Sequence, residues 1–509
     1  MRAMIGLGIA ATLIVASTLA YFLNSDTAQH QGPSAIGNEN YRFVKVSCWF
    51  DADWQASISC GELHTPKAQG QFVLPVVILH AEDSTAKPDP IVYLQGGPGA
   101  SAGLHSEGIK RWLSWMRLAN TKRDLILVDT RGTGSSKPAL VCADYNRENQ
   151  KLMRENKPLS DELAQSYAIT AQCFNTAVKS NSNLDYRYFS TALSAQDLRA
   201  LMARLEYREW NIVGVSYGTR LALEVARQEQ LAPQRVRLRA MVLDSIYPAG
   251  FGGVQTWPQV LDDAMQRFFS GCAEQQSCAK KIGLSKNNLQ DLFVSALQRL
   301  RETPVSLTVR HWNGETPMYW LVNDHRFLSI VFAGIYDPAD WSKILDAIVG
   351  VHQGRNDLLK PLAEPYLNNS VSADFNSLTF TAVDCADNPV LSEMDYVAAV
   401  AHYPLLQDYT RDQWRFQLCH ELRSTIPLQL AQPQMPTLIL AGAKDPITPV
   451  KWAREIHQRW PETQLRINEN LAHSVLGSDV CLLENLGQFF DHPESTFTAC
   501  SSLARAIDE

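Results

Sequence analysis

Three residues that stand far apart in the chain could together perform nucleophilic chemistry: Ser216, Asp445 and His473. Ser216 lies in Gly-Val-Ser-Tyr-Gly (214–218), directly after the short apolar run Trp210–Val213 and before a stretch with helical spacing. Small residues beside a serine permit the sharp strand-to-helix turn that lifts its hydroxyl clear of a sheet. A Gly-rich packing turn is the alternative interpretation, and the strand–turn–helix setting favours the nucleophile.

Asp445 and His473 could supply the base that such a serine needs. Asp445 stands on a turn after the apolar run Thr437–Leu440, and His473 comes later, in Leu-Ala-His-Ser. A histidine can take the proton from a serine hydroxyl while a carboxylate fixes the tautomer of the histidine. Asp244, which follows another apolar run, is the rival acid. A surface or core role is the alternative for the histidine.

Two glycine-containing loops follow other apolar runs. Gln-Gly-Gly-Pro-Gly (95–99) comes after Ile91–Leu94, and the backbone N–H groups of Gly96 and Gly97 could approach a developing oxyanion there. A simple turn is the alternative, because Gly-Gly and Gly-Pro are common turn dipeptides. The second loop, 129–136, does not complete a dinucleotide fingerprint. We interpret it as a structural loop with an internal Arg–Asp pair.

These loops need a scaffold of strands whose ends meet. Short apolar runs bounded by turn signals are typical of buried strands in a mostly parallel sheet. Helical stretches between them indicate an α/β fold with crossover helices, and such sheets place active sites at the carboxyl ends of their strands. We therefore expect an α/β core in two parts, 41–250 and 405–509, with a helical cap inserted at 251–404. Leu289–Leu300 is a predicted amphipathic helix of that cap.

The N-terminal segment predicts export. Met1-Arg2 precedes the uncharged run Met4–Leu23, a pattern typical of a secretory signal and about long enough to span a bilayer. Residues 1–23 are therefore interpreted as a signal peptide cleaved near Ala20 or as a membrane anchor, with a buried core helix as the third alternative. The polar segment 24–40 is interpreted as a linker. Either favoured outcome makes the chain periplasmic or secreted, tethered to a membrane if the segment is retained.

Ten cysteines agree with export. None forms Cys-x-x-Cys, and the spacings do not resemble a zinc site, so no metal is expected. Exported chains can keep such residues as disulfides, and buried free thiols are the alternative. Pairing in chain order would give 48–60, 142–173, 272–278, 385–419 and 481–500.

The composition excludes several classes of protein. The chain has 509 residues, of which 45% are hydrophobic and 19% charged, so it can bury a sizeable core and is not mainly disordered. Its 46 Lys and Arg against 53 Asp and Glu give a net charge of −7. That charge offers no general attraction to nucleic acid or anionic membranes. We therefore expect no nucleic-acid partner.

Five motifs, taken in chain order, resemble one family: QGGPG, DTRGTGSS, GVSYGTR, GAKDPITP and AHS. They are similar to the α/β-hydrolase serine peptidases typified by proline iminopeptidase and tripeptidyl aminopeptidase. The resemblance covers nearly all of residues 41–500, including the cap and a tripeptidyl aminopeptidase-like C-terminal part. It implies an α/β-hydrolase fold, with a mostly parallel sheet, helices on both faces and an inserted helical cap.

The resemblance assigns a role to each motif by position. Ser216 matches the nucleophile, Asp445 the acid and His473 the base. The implied oxyanion-hole donors are the backbone N–H groups of Gly96, Gly97 and Tyr217.

The segment Ala382–Asp387 resembles a cap-side motif of the tripeptidyl branch. Asp384 or Asp387 would then hold the free amino group of a substrate through charge-assisted bonds, and solvated loop acids are the alternative. The oxyanion loop of the iminopeptidases usually begins with His, whereas this chain has Gln95. This difference disfavours a strict proline iminopeptidase. His473 stands in Ala-His-Ser where Gly-His is usual, a small departure.

The resemblance implies an exported serine exopeptidase that hydrolyses peptide bonds near the N-terminus of a peptide substrate. No metal or organic cofactor is implied. The alternatives are a carboxylesterase with the same triad and a non-catalytic binding protein on the hydrolase scaffold, since a fold does not fix function. The length of the released unit, a preference for proline and the oligomeric state do not follow from the sequence.

Overall fold

The computed structural model describes most of the chain from residue 40 onward. The predicted export segment, 1–23, and the predicted linker up to residue 39 lie outside the described residues. In the part of the chain that is described, no helix is both long and apolar enough to cross a bilayer. The described ranges are 40–51, 57–81, 85–140, 145–180, 184–274, 278, 286–310, 317–370, 374–388, 392–410, 417–419, 422 and 428–497.

The core of the fold is one large sheet. The described strands are β1 (Arg42–Val46), β2 (Ile58–His64), β3 (Val73–Leu79), β4 (Lys87–Leu94), β5 (Arg123–Val128), β6 (Glu209–Val215), β7 (Arg237–Asp244), β8 (Val305–Arg310), β9 (Pro317–Val322), β10 (Thr437–Gly442) and β11 (Gln464–Asn468). Nine of them form the sheet in the order β1-β2-β3-β5-β4-β6-β7-β10-β11. The strands from β5 to β11 in that order pair in parallel, and the three pairings at the β1 end are antiparallel. The mostly parallel sheet is therefore confirmed.

Helices cover both faces of the sheet. The described α-helices are α1 (Ser106–Ala119), α2 (Tyr145–Leu152), α3 (Leu159–Ser180), α4 (Thr191–Arg204), α5 (Tyr217–Leu231), α6 (Trp257–Glu274), α7 (Lys286–Glu302), α8 (Asp324–Gly334), α9 (Trp341–Gln353), α10 (Lys360–Ser370), α11 (Ser377–Asp387), α12 (Glu393–Val400), α13 (Gln407–Thr410), α14 (Val450–Arg459), α15 (Val480–Glu484) and α16 (Leu486–Asp491). On one face, α4, α5 and α14 pack on residues such as Ile212 and Leu243. On the other, α1, α15 and α16 pack on their strand neighbours Val213 and Val242. Burial on both faces explains why these strands are continuous apolar runs.

Most helices of the segment between β7 and β10 share a core of their own, whereas α11 packs into the core of the sheet. Helices α6 to α10 enclose a cluster of aromatic and aliphatic side chains that includes Phe268, Phe293 and Phe327. The predicted helix at Leu289–Leu300 lies within α7. The antiparallel pair β8–β9 was not predicted, although the alternating exposure of Val-Ser-Leu-Thr-Val-Arg is the pattern of a half-buried strand.

The structure confirms three of the predicted disulfides. They join Cys48 to Cys60, Cys272 to Cys278 and Cys385 to Cys419. Cys173 and Cys481 are also disulfide-bonded. Their predicted partners, Cys142 and Cys500, lie outside the described residues.

The loop after β5 has a structural role, but not through the predicted internal pair. The Arg131 guanidinium is buried and bonds both oxygens of Asp197, at 2.6 and 2.8 Å. Asp129 instead accepts hydrogen bonds from the backbone N–H groups of Ala102 and Ser135. The prediction of an Arg131–Asp129 pair is wrong, because the helix α4 supplies a carboxylate that the local sequence does not reveal.

Candidate active site

Ser216 stands on the turn between β6 and α5 with an unusual backbone conformation. Its φ is +55° and its ψ is −121°, outside the regions that L-residues favour. Two glycines permit this turn: a Cβ on Gly214 would lie 2.6 Å from the carbonyl oxygen of Gly218, and a Cβ on Gly218 would lie 2.1 Å from that of Leu94. The glycines on either side of the serine are thus required by close approach of the backbone. The serine remains partly exposed.

His473 and Asp445 form a hydrogen-bonded pair. His473 Nδ1 lies 2.8 Å from Asp445 Oδ2, and Asp445 Oδ1 accepts bonds from the backbone N–H groups of Ile447 and Thr448 at 2.9 and 2.8 Å. Burial opposes ionisation of Asp445, but the charge and hydrogen bond of His473 hold its pKa below the usual value. Burial alone would lower the pKa of His473, but Asp445 raises it above its ordinary value. With Nδ1 bonded to Asp445, Nε2 is the ring nitrogen that could accept a proton.

Asp244, the rival acid, holds the backbone near the histidine. Its two carboxylate oxygens accept hydrogen bonds from the backbone N–H groups of Val475 at 2.9 Å and Leu476 at 2.8 Å. Burial raises the pKa of Asp244 to about 6, while these two N–H groups oppose the shift. The acid that bonds the imidazole of His473 is therefore Asp445, and Asp244 anchors the turn that follows it.

Ser216 and His473 line one cavity of about 470 Å³, a size typical of ligand sites. Tyr336 packs edge-on against the imidazole of His473, with ring centroids 5.6 Å apart. Among the described lining residues, Asp384 has the one carboxyl group. The aromatic side chains that line the cavity are Tyr247, Trp257, Phe332, Tyr336, Phe375, Phe380 and Tyr396.

The glycine loop after β4 lies beside the serine. A Cβ on Gly96 would sit 3.3 Å from Ser216 Cβ and 3.7 Å from its Oγ. Gly97 has a φ of +115°, which favours glycine, and it lines the cavity. Tyr217 is the first residue of α5, so its backbone N–H is one of the helix donors that have no partner within the helix. The three predicted oxyanion-hole residues are therefore brought close to Ser216.

The two cap acids, Asp384 and Asp387, have different surroundings. Asp384 lines the cavity and accepts a hydrogen bond from Asn388 Nδ2 at 2.7 Å. Asp387 is buried against the core, with the hydroxyl of Thr191 at 2.5 Å and Arg220 Nη1 at 3.9 Å. Burial raises the pKa of Asp387 to about 7. Of the two, Asp384 is the one at the cavity wall, whereas Asp387 joins the cap helix α11 to α4 and α5.

Comparison with known families agrees with this geometry. A model of the alpha/beta hydrolase fold matches residues 89–280, which include the glycine loop and the Ser216 turn. The chain has the α/β-hydrolase fold. A second family model, described as TAP-like protein, matches residues 409–499 of this α/β hydrolase, which include Asp445 and His473. The predicted fold and the predicted resemblance to this family are both confirmed.

Relatives of this α/β hydrolase include named peptidases. Serine protease Hip1 of Mycobacterium tuberculosis is 23% identical over 453 residues, covering 84% of this chain and 83% of the relative. Tripeptidyl aminopeptidase of Streptomyces lividans is 25% identical over 469 residues, covering 84% and 81%. The solved proline iminopeptidase of Mycobacterium smegmatis is 14% identical with a TM-score of 0.37, covering 85% of this chain and 98% of that one. With a serine at the strand–helix turn, the chain is a serine hydrolase.

Two features of the site in this α/β hydrolase were not predicted. The hydroxyl of Thr448 lies 2.7 Å from Asp445 Oδ2 and 3.3 Å from His473 Nδ1. Its position three residues after the aspartate, in Asp-Pro-Ile-Thr, was an available signal. The aromatic wall, by contrast, has no local signal, because nothing near Tyr336 in the sequence relates it to a distant histidine. In the described ranges, no group of three or more His, Cys, Asp or Glu side chains could hold a metal ion.

Proposed function

We propose that this chain is an exported serine aminopeptidase that releases short units from the free N-terminus of peptides. The observation that carries the proposal is the carboxyl group of Asp384, the one carboxyl among the described lining residues of a largely apolar cavity that also contains Ser216 and His473. The TAP-like model and the relatives named serine protease and tripeptidyl aminopeptidase support a peptidase. The disulfides support export, because such bonds persist in oxidising compartments.

The proposed reaction proceeds through an acyl-serine. His473 Nε2 takes the proton of Ser216 as its Oγ attacks the substrate carbonyl carbon, and Asp445 stabilises the imidazolium that forms. The backbone N–H groups of Gly96 or Gly97 and of Tyr217 stabilise the oxyanion. His473 then gives the proton to the departing amine, and the C–N bond breaks. Water attacks the acyl-serine with the same histidine as base, which releases the acid and restores Ser216.

Asp384 accounts for a preference for a free amino terminus. A carboxylate surrounded by aromatic side chains is poorly compensated by solvent, and a substrate ammonium would form a charge-assisted hydrogen bond with it. An N-blocked substrate lacks this charge and would not form that bond. The hydrogen bond from Asn388 Nδ2 fixes Asp384 Oδ1 and orients the group.

A carboxylesterase is the second candidate. The same triad attacks esters, and the aromatic wall would accept an apolar acyl group as readily as a peptide side chain. The esterase would make no use of Asp384, so the effect of neutralising this residue separates the two enzymes. A binding protein without catalysis would show no turnover that depends on Ser216.

The test is a panel of chromogenic substrates with the purified protein. Alanyl, prolyl and tripeptidyl anilides are compared with their N-acetylated forms and a short-chain ester, using Ser216→Ala, Asp384→Asn and the control Asp395→Asn, an exposed cap acid. We expect turnover of free-amine anilides, loss of at least 10³-fold in Ser216→Ala, and a selective rise in KM for free-amine substrates in Asp384→Asn. Equal turnover of free and blocked anilides, or of the ester alone, would contradict the aminopeptidase.

A further inference from the structure

A second cavity, of about 550 Å³, lies within the cap and adjoins the first. Leu261, Phe332 and Tyr336 line both cavities, so the two spaces meet at these three side chains. Other lining residues of the second cavity belong to α3 and α8. Its volume is within the range that ligand sites occupy. We call it the cap cavity.

The contact of Tyr336 with His473 indicates on which side of the scissile bond the cap cavity lies. The Tyr336 ring packs against the imidazole of His473, at 5.6 Å between centroids. In the proposed mechanism His473 protonates the departing amine, so the leaving group is on the histidine side of the scissile bond. Building on the proposed function, we propose that the cap cavity binds the substrate residues on the C-terminal side of the scissile bond.

The lining of the cap cavity indicates which leaving segments it accepts. Leu163, Trp320 and Leu328 provide apolar surface. The charged side chains are already engaged with one another: Glu162 Oε2 lies 2.9 Å from His325 Nε2 and accepts a bond from Arg326 Nη2 at 2.7 Å. A charged side chain entering the cavity would compete with these bonds, whereas an apolar one would not. The cap cavity therefore favours peptides with apolar residues after the scissile bond.

The test fills the cap cavity and compares substrates that differ in their leaving group. Two small lining residues on different helices, Ser166 of α3 and Ala333 of α8, are replaced singly by tryptophan. The control is Ala164→Trp, an exposed position of α3 that is not part of the lining. Each protein is assayed with one N-terminal unit, joined either to p-nitroaniline or to one, two or four apolar residues.

We expect the ratio of kcat/KM for the four-residue leaving group to kcat/KM for the anilide to fall at least tenfold in Ser166→Trp and Ala333→Trp. The ratio should not change in Ala164→Trp. An unchanged ratio in both lining variants would overturn the proposal, while absence of Ser216-dependent anilide turnover would instead overturn the proposed function.

A measurement on the unmodified protein does not depend on the folding of these variants. The leaving segment, added as an N-acetylated apolar tetrapeptide that lacks the free amino terminus of a substrate, should inhibit anilide hydrolysis at least tenfold more strongly than the N-acetylated single amino acid. A segment with acidic side chains should inhibit more weakly. Inhibition that does not vary with length would overturn the assignment of the cap cavity to the leaving group.

Discussion

Asp244 and His473 are linked through the backbone: the buried carboxylate of Asp244 accepts hydrogen bonds from the N–H groups of Val475 and Leu476, two and three residues after the histidine. Asp445, after the neighbouring strand β10, bonds the imidazole itself. One acid therefore holds the turn and the other orients the ring. The sheet determines both positions, since β7 and β10 are parallel neighbours whose carboxyl ends meet.

Replacing Asp244 by Asn should weaken this turn. An amide presents one acceptor oxygen where the carboxylate presents two, so one buried N–H group loses its partner, at a cost of about 1–3 kcal/mol. We expect the free energy of unfolding, measured in urea, to fall by that amount, and kcat to fall because His473 shifts. A destabilised variant with an unchanged kcat would show that the histidine does not depend on this anchor.

The pH dependence of kcat/KM should report the pairing of His473 with Asp445. His473 must be neutral to act as the base, so kcat/KM should rise with pH. Because Asp445 raises the pKa of His473, the midpoint of this rising limb should lie above the ordinary pKa of a histidine. Asp445→Asn removes the charge that raises this pKa. We expect the limb to move to lower pH and kcat to drop by about 10³ to 10⁴. A limb at the same pH in both proteins would mean that another group titrates.

Gly96→Ala should impair catalysis more than folding. The added methyl would lie 3.3 Å from Ser216 Cβ and 3.7 Å from its Oγ, in the space where a carbonyl must approach. We expect kcat/KM to fall by at least tenfold with a small change in Tm. Gly218→Ala is the comparison, because its methyl would lie 2.1 Å from the carbonyl oxygen of Leu94 and should disrupt the turn and lower Tm. A fully active Gly96→Ala protein would argue against an oxyanion hole at this loop.

Asp387 should make the protein less stable as the pH rises. Its pKa is about 7 in the folded protein because burial favours the neutral form, whereas an unfolded aspartate titrates near 3.9. Between these values the unfolded state is ionised and the folded state is protonated, so stability falls with rising pH and then levels off above pH 7.

Asp387→Asn removes this titration. From pH 5 to pH 8 the free energy of unfolding of the wild type should therefore fall relative to the variant by about 2.5 kcal/mol. Measuring the difference at two pH values cancels any constant effect of the amide on the hydrogen bonds to Thr191. A difference that does not change with pH would mean that the carboxyl is ionised in the folded protein.

The sequence by itself determined the elements of the core and the identity of the candidate triad. The strands are buried on both faces, so each appears as a continuous apolar run, and the turn residues that follow each run are local in sequence. Ser216, Asp445 and His473 could therefore be named from the ends of predicted strands and from their order. The pairing of cysteines in chain order also held for the three bonds described, because close sequence neighbours need little loop closure.

Only the tertiary structure decided which groups meet across the fold. Arg131 pairs with Asp197 of α4. Asp384 lies at the cavity wall, whereas Asp387 lies in a buried contact with Thr191. Tyr336 of the cap packs against His473. These contacts join residues with large sequence separations on different elements. Their side chains carry no periodic or turn signal that relates one to the other, because the contact depends on how the cap packs over the sheet.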